Sequence, residues 1–278
     1  MNNDIEFILT KEYKKFEEFC NSCKDYKYIG LCYGIPGIGK TLSAIRYSNW
    51  NEISNFYNTN FEKIFRNLLS LPKLPEIQHC DTILITASPT NTPSRIEKIV
   101  TSEAFILKFM KSFSERQQIQ GTYVYSHSSD QEQLSEIKLL IVDEVDHLKY
   151  TSLEQLRNIY DQQEFGMVLI GMPGIERRIS RYPQLYSRVG FVHEFKTLSK
   201  DEMTFIIEHH LAQLGTKIKI DNFSDYETLN TIVRISKGNL RVLTRLFQQL
   251  ERLIKINNIT TINTDLVNAA REALVSGN

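Results

Sequence analysis

The stretch YIGLCYGIPGIGKT, residues 28–41, constrains this chain more than any other. A short apolar run of strand character leads into G-x-x-x-x-G-K-[ST], with Gly34, Gly39, Lys40 and Thr41 at the fixed positions, and a helical pattern follows. The glycines have a physical use. With no Cβ in the way, backbone N–H groups can wrap phosphate oxygens, and the N-terminus of the next helix adds positive potential. The expected cradle is Gly34, Pro36, Gly37, Ile38, Gly39, Lys40, Thr41 and Leu42. Lys40 is placed to bridge the β- and γ-phosphates of a nucleotide, and Thr41 Oγ1 to ligate magnesium. The bland alternative is a glycine-rich turn leaving a core strand, and a second motif far along the chain decides between the two.

That motif is LLIVDEVDHL, residues 139–148. Four apolar residues carry a strand through a sheet, and Asp143 emerges at its carboxyl end, where open α/β sheets bind ligands. Asp143 can hold magnesium through water, while Glu144 can orient and deprotonate an attacking water. A tandem acidic pair suits hydrolysis of a nucleoside triphosphate, whereas a small-molecule kinase has no clear use for a water base there. Asp146 and His147 follow directly, and His147 reads as a helix cap or as a contact with the site or a partner.

Five short apolar runs recur along the chain: YIGLCY (28–33), TILIT (82–86), IKLLIV (137–142), MVLIG (167–171) and FVHEF (191–195). Several are apolar throughout, as strands buried on both faces are. Helical patterns separate them: Thr41 to Trp50, a long one opening on Pro93, residues 151–163 and residues 174–182. Before them, residues 10–25 place Tyr13, Phe16, Phe19, Cys20 and Cys23 at helical spacing, with Thr10 as N-cap. Alternating strands and helices imply a parallel sheet covered on both sides. After residue 196 strand signals stop. A helix opens on a capping box, Ser199 with Glu202, and ends on Gly215; three more helices are expected over 225–236, 239–257 and 264–275. The expected division is therefore an α/β nucleotide-binding domain with an N-terminal helix over 1–196, and a helical lid over 197–278. The polar stretch 125–136 reads as a surface loop.

Lys plus Arg and Asp plus Glu balance at 33 each, so no global field draws the chain toward nucleic acid. No apolar run approaches the roughly 18 residues of a membrane helix, and the N-terminus lacks the order of a signal peptide, so the expectation is a cytoplasmic protein without a membrane partner. Cys20 and Cys23 form a CxxC pair without a second pair at zinc spacing, and read as reduced thiols on or under a helix.

The P-loop, the strand ending in Asp-Glu, the two later strands and the helical lobe together resemble the AAA+ ATPases. That resemblance implies a five-stranded parallel sheet in the order 5-1-4-3-2, ATP in preference to GTP, and magnesium. The segment SKGNLRVLTRL looks like the family's sensor-2 segment, which would bring Arg241 back to the γ-phosphate. YPQLYSRVGFVHEF stands where the family places an arginine finger, with Arg188 the best match and Arg181 in reserve. A finger supplied across a subunit boundary implies a homo-oligomer. One departure stands out: the family puts a polar first-sensor residue at the tip of the fourth strand, where this chain reads Gly171-Met172-Pro173. That puts the first sensor in doubt and implies turnover that is slow without an activator.

A narrower resemblance, carried by YKYIGLCYGIPGIGKTLSA, LLIVDEVDHL and MVLIGMPGIERRISRYPQLYSRVGFVHEF, is to the short bacterial AAA+ ATPases related to phage Mu B and the TniB/TnsC transposition regulators. It implies ATP-dependent rings or helical filaments on duplex DNA, and recruitment and stimulation of a transposase. Arg177, Arg178, Arg181 and Arg188 crowd together, and Arg241, Arg245 and Arg252 share one helical face near Arg234 and Lys237. Without a recognition helix or aromatic-interleaved stripe, the expected contacts are to phosphates and summed over many subunits. The rival expectation is an ATPase acting on a protein partner in secretion, remodelling or defence, which the neutral charge suits; a third is a nucleotide-gated scaffold.

Overall fold

A computed structural model of the chain describes residues 8–65, 75–119, 134, 136–213, 223–257 and 261–274. Its centre is a sheet of β1 (Ile29–Tyr33), β2 (Thr82–Thr86), β3 (Leu139–Asp143), β4 (Gly166–Gly171) and β5 (Val189–Glu194). Every pairing is parallel and the order is β2-β3-β4-β1-β5, which is the expected 5-1-4-3-2 read from the other edge. β3 and β4 are buried at every residue, which accounts for their unbroken apolar character. β5 lies at an edge and alternates between half-buried and exposed positions. It begins two residues before the expected FVHEF, because Val189 already pairs with Ile29 of β1, and the register then shifts past Gly190 so that Phe191 pairs with Gly30. β3 begins at Leu139 and not at Ile137.

Helices α1 (Lys11–Tyr26), α2 (Lys40–Ser48), α3 (Trp50–Phe65), α4 (Pro93–Ile119), α5 (Tyr150–Asp161), α6 (Ile175–Ile179) and α7 (Pro183–Tyr186) alternate with the strands. Thr10 caps α1 as expected, its Oγ1 accepting from Tyr13 N–H at 3.1 Å. The same helix lies so close to the sheet that two strand glycines become obligatory. A Cβ on Gly30 would sit 2.3 Å from Cys23 Sγ, and one on Gly166 would sit 2.2 Å from the Cys23 carbonyl oxygen. The CxxC thiols are thus packing groups. Both are free and buried, and burial pushes Cys23 up to about 12 and raises Cys20 as well, so neither is an available thiolate.

Helix α3 was not anticipated beyond Trp50. It carries Trp50, Ile53, Tyr57 and Ile64 on its buried face, and the Trp50 indole donates to Glu103 of α4 at 3.0 Å. After β5 come α8 (Lys200–Gln213), α9 (Phe223–Ser236), α10 (Leu240–Asn257) and α11 (Thr264–Glu272). Ile207, Leu211, Ile232, Leu246, Leu250 and Val267 form the centre of their core. The capping box is present: Ser199 N–H and Oγ both bond the Glu202 carboxylate, and Glu202 N–H returns to Ser199 Oγ. The expected end at Gly215, the loop 125–136 except Leu134 and Glu136, and the final turn at Val275 lie outside the described residues.

Two compact units are distinguished by their internal contacts. One comprises Lys15–Gly34 with Lys40–Glu194; the other comprises the described parts of Met1–Lys14, Ile35–Gly39 and Phe195–Asn278.

Candidate nucleotide-binding site

The loop after β1 turns on Gly37 at φ +82° and Gly39 at φ +110°, left-handed conformations that glycine adopts without steric cost. Lys40 opens α2 and is only 9% exposed, and its ammonium donates back to the Gly34 carbonyl. Thr41 Oγ1 donates to Asp143 Oδ2 at 2.6 Å, joining residues 102 apart in sequence. Asp143, 3% exposed at the tip of β3, uses its other oxygen to accept the Glu144 N–H at 2.8 Å. The residues fit a magnesium–polyphosphate ligand. A hydroxyl and a carboxylate oxygen meet there, directly after the buried Lys40 in the chain, and magnesium is ordinarily held by one or two such oxygens plus phosphates and waters.

Glu144 leaves the strand in the left-handed region, at φ +57° and ψ +38°. A non-glycine residue there costs about 1–3 kcal/mol, and such strain concentrates at functional sites. A one-turn 3-10 segment, Val145–His147, follows and is tied down on both sides. Asn91, 3% exposed in the loop after β2, donates to the His147 carbonyl at 2.9 Å. Arg178 of α6 donates to the carbonyl of Asp146 at 2.6 Å and to that of Leu148. The β4 tip is settled differently from the usual family pattern. Asp146 Oδ2 accepts the Met172 N–H at 2.7 Å, so a carboxylate from the neighbouring turn occupies the tip that lacks a polar side chain of its own. A Cβ on Gly171 would come within 2.9 Å of that oxygen. Asn91 and Arg178 carried no sequence signal for these roles, since each acts on carbonyls distant in sequence.

Arg188, the best match for a finger, is held within its own chain. Its guanidinium pairs side-on with Asp161, with Nη2 to Oδ2 at 2.7 Å, and it also donates to the Gln184 carbonyl. Arg157 pairs with the same Asp161. Arg181, the reserve, is exposed. These placements separate two effects. Arg188→Ala is expected to lower the melting temperature by about 3–6 °C, as loss of a charge-assisted pair worth about 1.5 kcal/mol or somewhat less does in a chain of this size. Arg181→Ala leaves it unchanged. Calorimetry on the two variants checks this, and an equal loss at both positions would refute it.

In the helical unit, Asn239 caps α10 by accepting from the N–H groups of Arg241 and Val242, and its Nδ2 donates to the Pro36 carbonyl at 2.9 Å. Arg241 N–H also donates to the Gly37 carbonyl at 2.9 Å. The start of α10 is thus hydrogen-bonded to the loop tip, within one unit. Asn239 was missed as a site residue, although Asn directly before a helical pattern is an N-cap signal. Arg241, Arg245 and Arg252 are all exposed on α10.

The sheet order, the P-loop leaving β1 and the acidic pair at the tip of β3 define a P-loop nucleotide-binding domain. Residues 23–179 match the family described as AAA domain, and the chain belongs to that family of ATPases. Over its whole length it is 42% identical to a Staphylococcus aureus protein described as "Potential ATP-binding protein", covering 100% of this chain and 99% of that one. Over 118 residues, 39% of this chain and 38% of the other, it is 29% identical to the Mu-like prophage FluMu DNA transposition protein B of Haemophilus influenzae. The fold is similar to that of the RuvB Holliday junction branch migration motor of Thermotoga maritima. There the TM-score is 0.58 at 18% identity, covering 97% of this chain and 70% of that one. Among the described residues no helix is long and apolar enough to cross a membrane.

Proposed function

We propose that this chain is an oligomeric, magnesium-dependent ATPase that binds duplex DNA without sequence preference and regulates target selection and transposase activity in DNA transposition. The bond from Thr41 to Asp143, with Glu144 directly after it, carries the ATPase part of the reading. The partial similarity to a DNA transposition protein B supports the DNA part. ATP supplies the phosphoanhydride bond that is broken. The loop 34–42 holds the phosphates through backbone N–H groups, Lys40 neutralises charge on them, and Thr41 and Asp143 hold magnesium. Glu144 orients the attacking water and takes its proton. Arg241 reaches the γ-phosphate from the lid, and a finger from a second subunit completes the site. Arg181 is the freer candidate for that finger, because Asp161 engages Arg188 in cis. The working division is a nucleotide-binding domain over 1–196 and a lid over 197–278, in a cytoplasmic protein.

Imaging and sedimentation of the purified chain with duplex DNA test the reading. Rings or filaments are expected with ATP and magnesium at low salt, and not with ADP. Their affinity is expected to fall with salt by about 0.9 logarithmic units per decade for each phosphate neutralised. Particles indifferent to DNA at low salt would sink the transposition reading and favour a protein partner.

A further inference from the structure

The turn behind Glu144 holds an imidazole that the hydrolysis scheme above does not use. His147 Nδ1 lies 3.2 Å from the Ala87 carbonyl and 3.4 Å from Glu144 Oε2. A carbonyl oxygen can only accept, so Nδ1 must carry the proton in that bond. The same nitrogen stands 3.4 Å from the Glu144 carboxylate, close enough for the two acceptors to share its N–H. The rest of the turn fixes where the ring can go. His147 N–H donates to the Glu144 carbonyl at 3.0 Å, and its own carbonyl accepts from Asn91. Ala87 N–H donates to the Asp143 carbonyl at 2.8 Å, and Glu144 N–H to Asp143 Oδ1. Ala87, Asp143, Glu144 and His147 thus form a closed hydrogen-bonded circuit, anchored on the tips of two adjacent strands. The ring is held by the strand tip, and the half-exposed Glu144 carboxylate is the member with freedom to turn.

We propose that His147 is a positioning residue for Glu144: its Nδ1–H, fixed on the Ala87 carbonyl, restricts the carboxylate to the orientation from which it activates water. This rests on the reading of Glu144 as the base. A contact between two groups this exposed adds little to stability. Its consequence is in orientation, where a small misplacement of a catalytic group is felt in rate and not in binding.

The isosteres of the two ring nitrogens make the test. Asn places an amide N–H where Nδ1–H stands, whereas Gln reaches the position of Nε2. In the full chain with ATP, magnesium and DNA, His147→Ala and His147→Gln are expected to lower kcat about tenfold, with binding of a fluorescent ATP analogue and the melting temperature unchanged. His147→Asn is expected to stay within about threefold of the natural chain. In a Glu144→Gln background, single-turnover rates are expected to show no further loss from His147→Ala. Equal rescue by Gln and Asn, an unchanged or raised kcat in His147→Ala, a loss confined to KM or melting temperature, or an undiminished loss without Glu144 would each overturn the proposal. Absence of turnover in the natural chain, or full turnover in Glu144→Gln, would instead overturn the reading of Glu144 and this inference with it.

Discussion

Lys40→Ala is expected to abolish ATP binding while leaving the ligand-free fold intact. Lys40 is 9% exposed, and its ammonium donates to a backbone carbonyl of its own loop. Burial costs this charge much of its hydration, so its removal costs the ligand-free chain little. With polyphosphate present the balance reverses, because the same ammonium then faces two or more anionic oxygens at a helix N-terminus. Losing that interaction costs about 3 kcal/mol or more, which is over a hundredfold in affinity. The check is thermal. At ATP about a hundred times its dissociation constant, linkage stabilises the natural chain by about 2.7 kcal/mol, or about 5–10 °C in a chain of this length. Lys40→Ala should melt within about 2 °C of the natural chain without ATP, and should show no ATP-induced rise. A rise as large as in the natural chain would mean that the glycine loop is not the phosphate site.

The motifs that organise the site were legible because each couples a local conformation to a local composition. The glycines of 34–41 announce left-handed backbone, and four apolar residues before Asp143 announce a buried strand ending at a carboxylate. The Ser199–Glu202 box is equally local. Helix α3 escaped because its buried face sets the polar Asn60 beside Trp50, Ile53, Tyr57 and Ile64, and the helix begins right where α2 stops. β5 was displaced because an edge strand alternates and gives no apolar run to mark its start. The fold of the site was thus readable, while its cross-connections were not. Asp146 on the Met172 amide, Arg178 on two carbonyls and Arg188 on Asp161 each join residues 26 to 32 apart whose approach only the fold decides. The gap left by Met172 at the strand tip is one case: the sequence displays a missing polar residue, and the fold supplies a carboxylate from the next turn.

Glu144→Gln is expected to separate binding from hydrolysis, lowering turnover by about a hundredfold or more while ATP still binds and still supports assembly. The amide is isosteric with the carboxylate, so the left-handed turn and the Glu144 N–H bond to Asp143 Oδ1 have no reason to change. What the amide cannot do is take a proton from water, and a positioned general base contributes about a hundred- to ten-thousandfold. Asp143→Asn makes the contrast. Asp143 is buried and accepts from both Thr41 and the Glu144 amide, so an Asn there weakens the position proposed for magnesium and disturbs the turn together. Turnover and ATP affinity should therefore part company in Glu144→Gln and fall together in Asp143→Asn. Phosphate release measured beside equilibrium binding of an ATP analogue distinguishes them. A Glu144→Gln chain that hydrolyses normally would remove Glu144 as the base and leave a nucleotide-gated scaffold as the better account. One that loses binding as well would make Glu144 part of the nucleotide's seat and not of its chemistry.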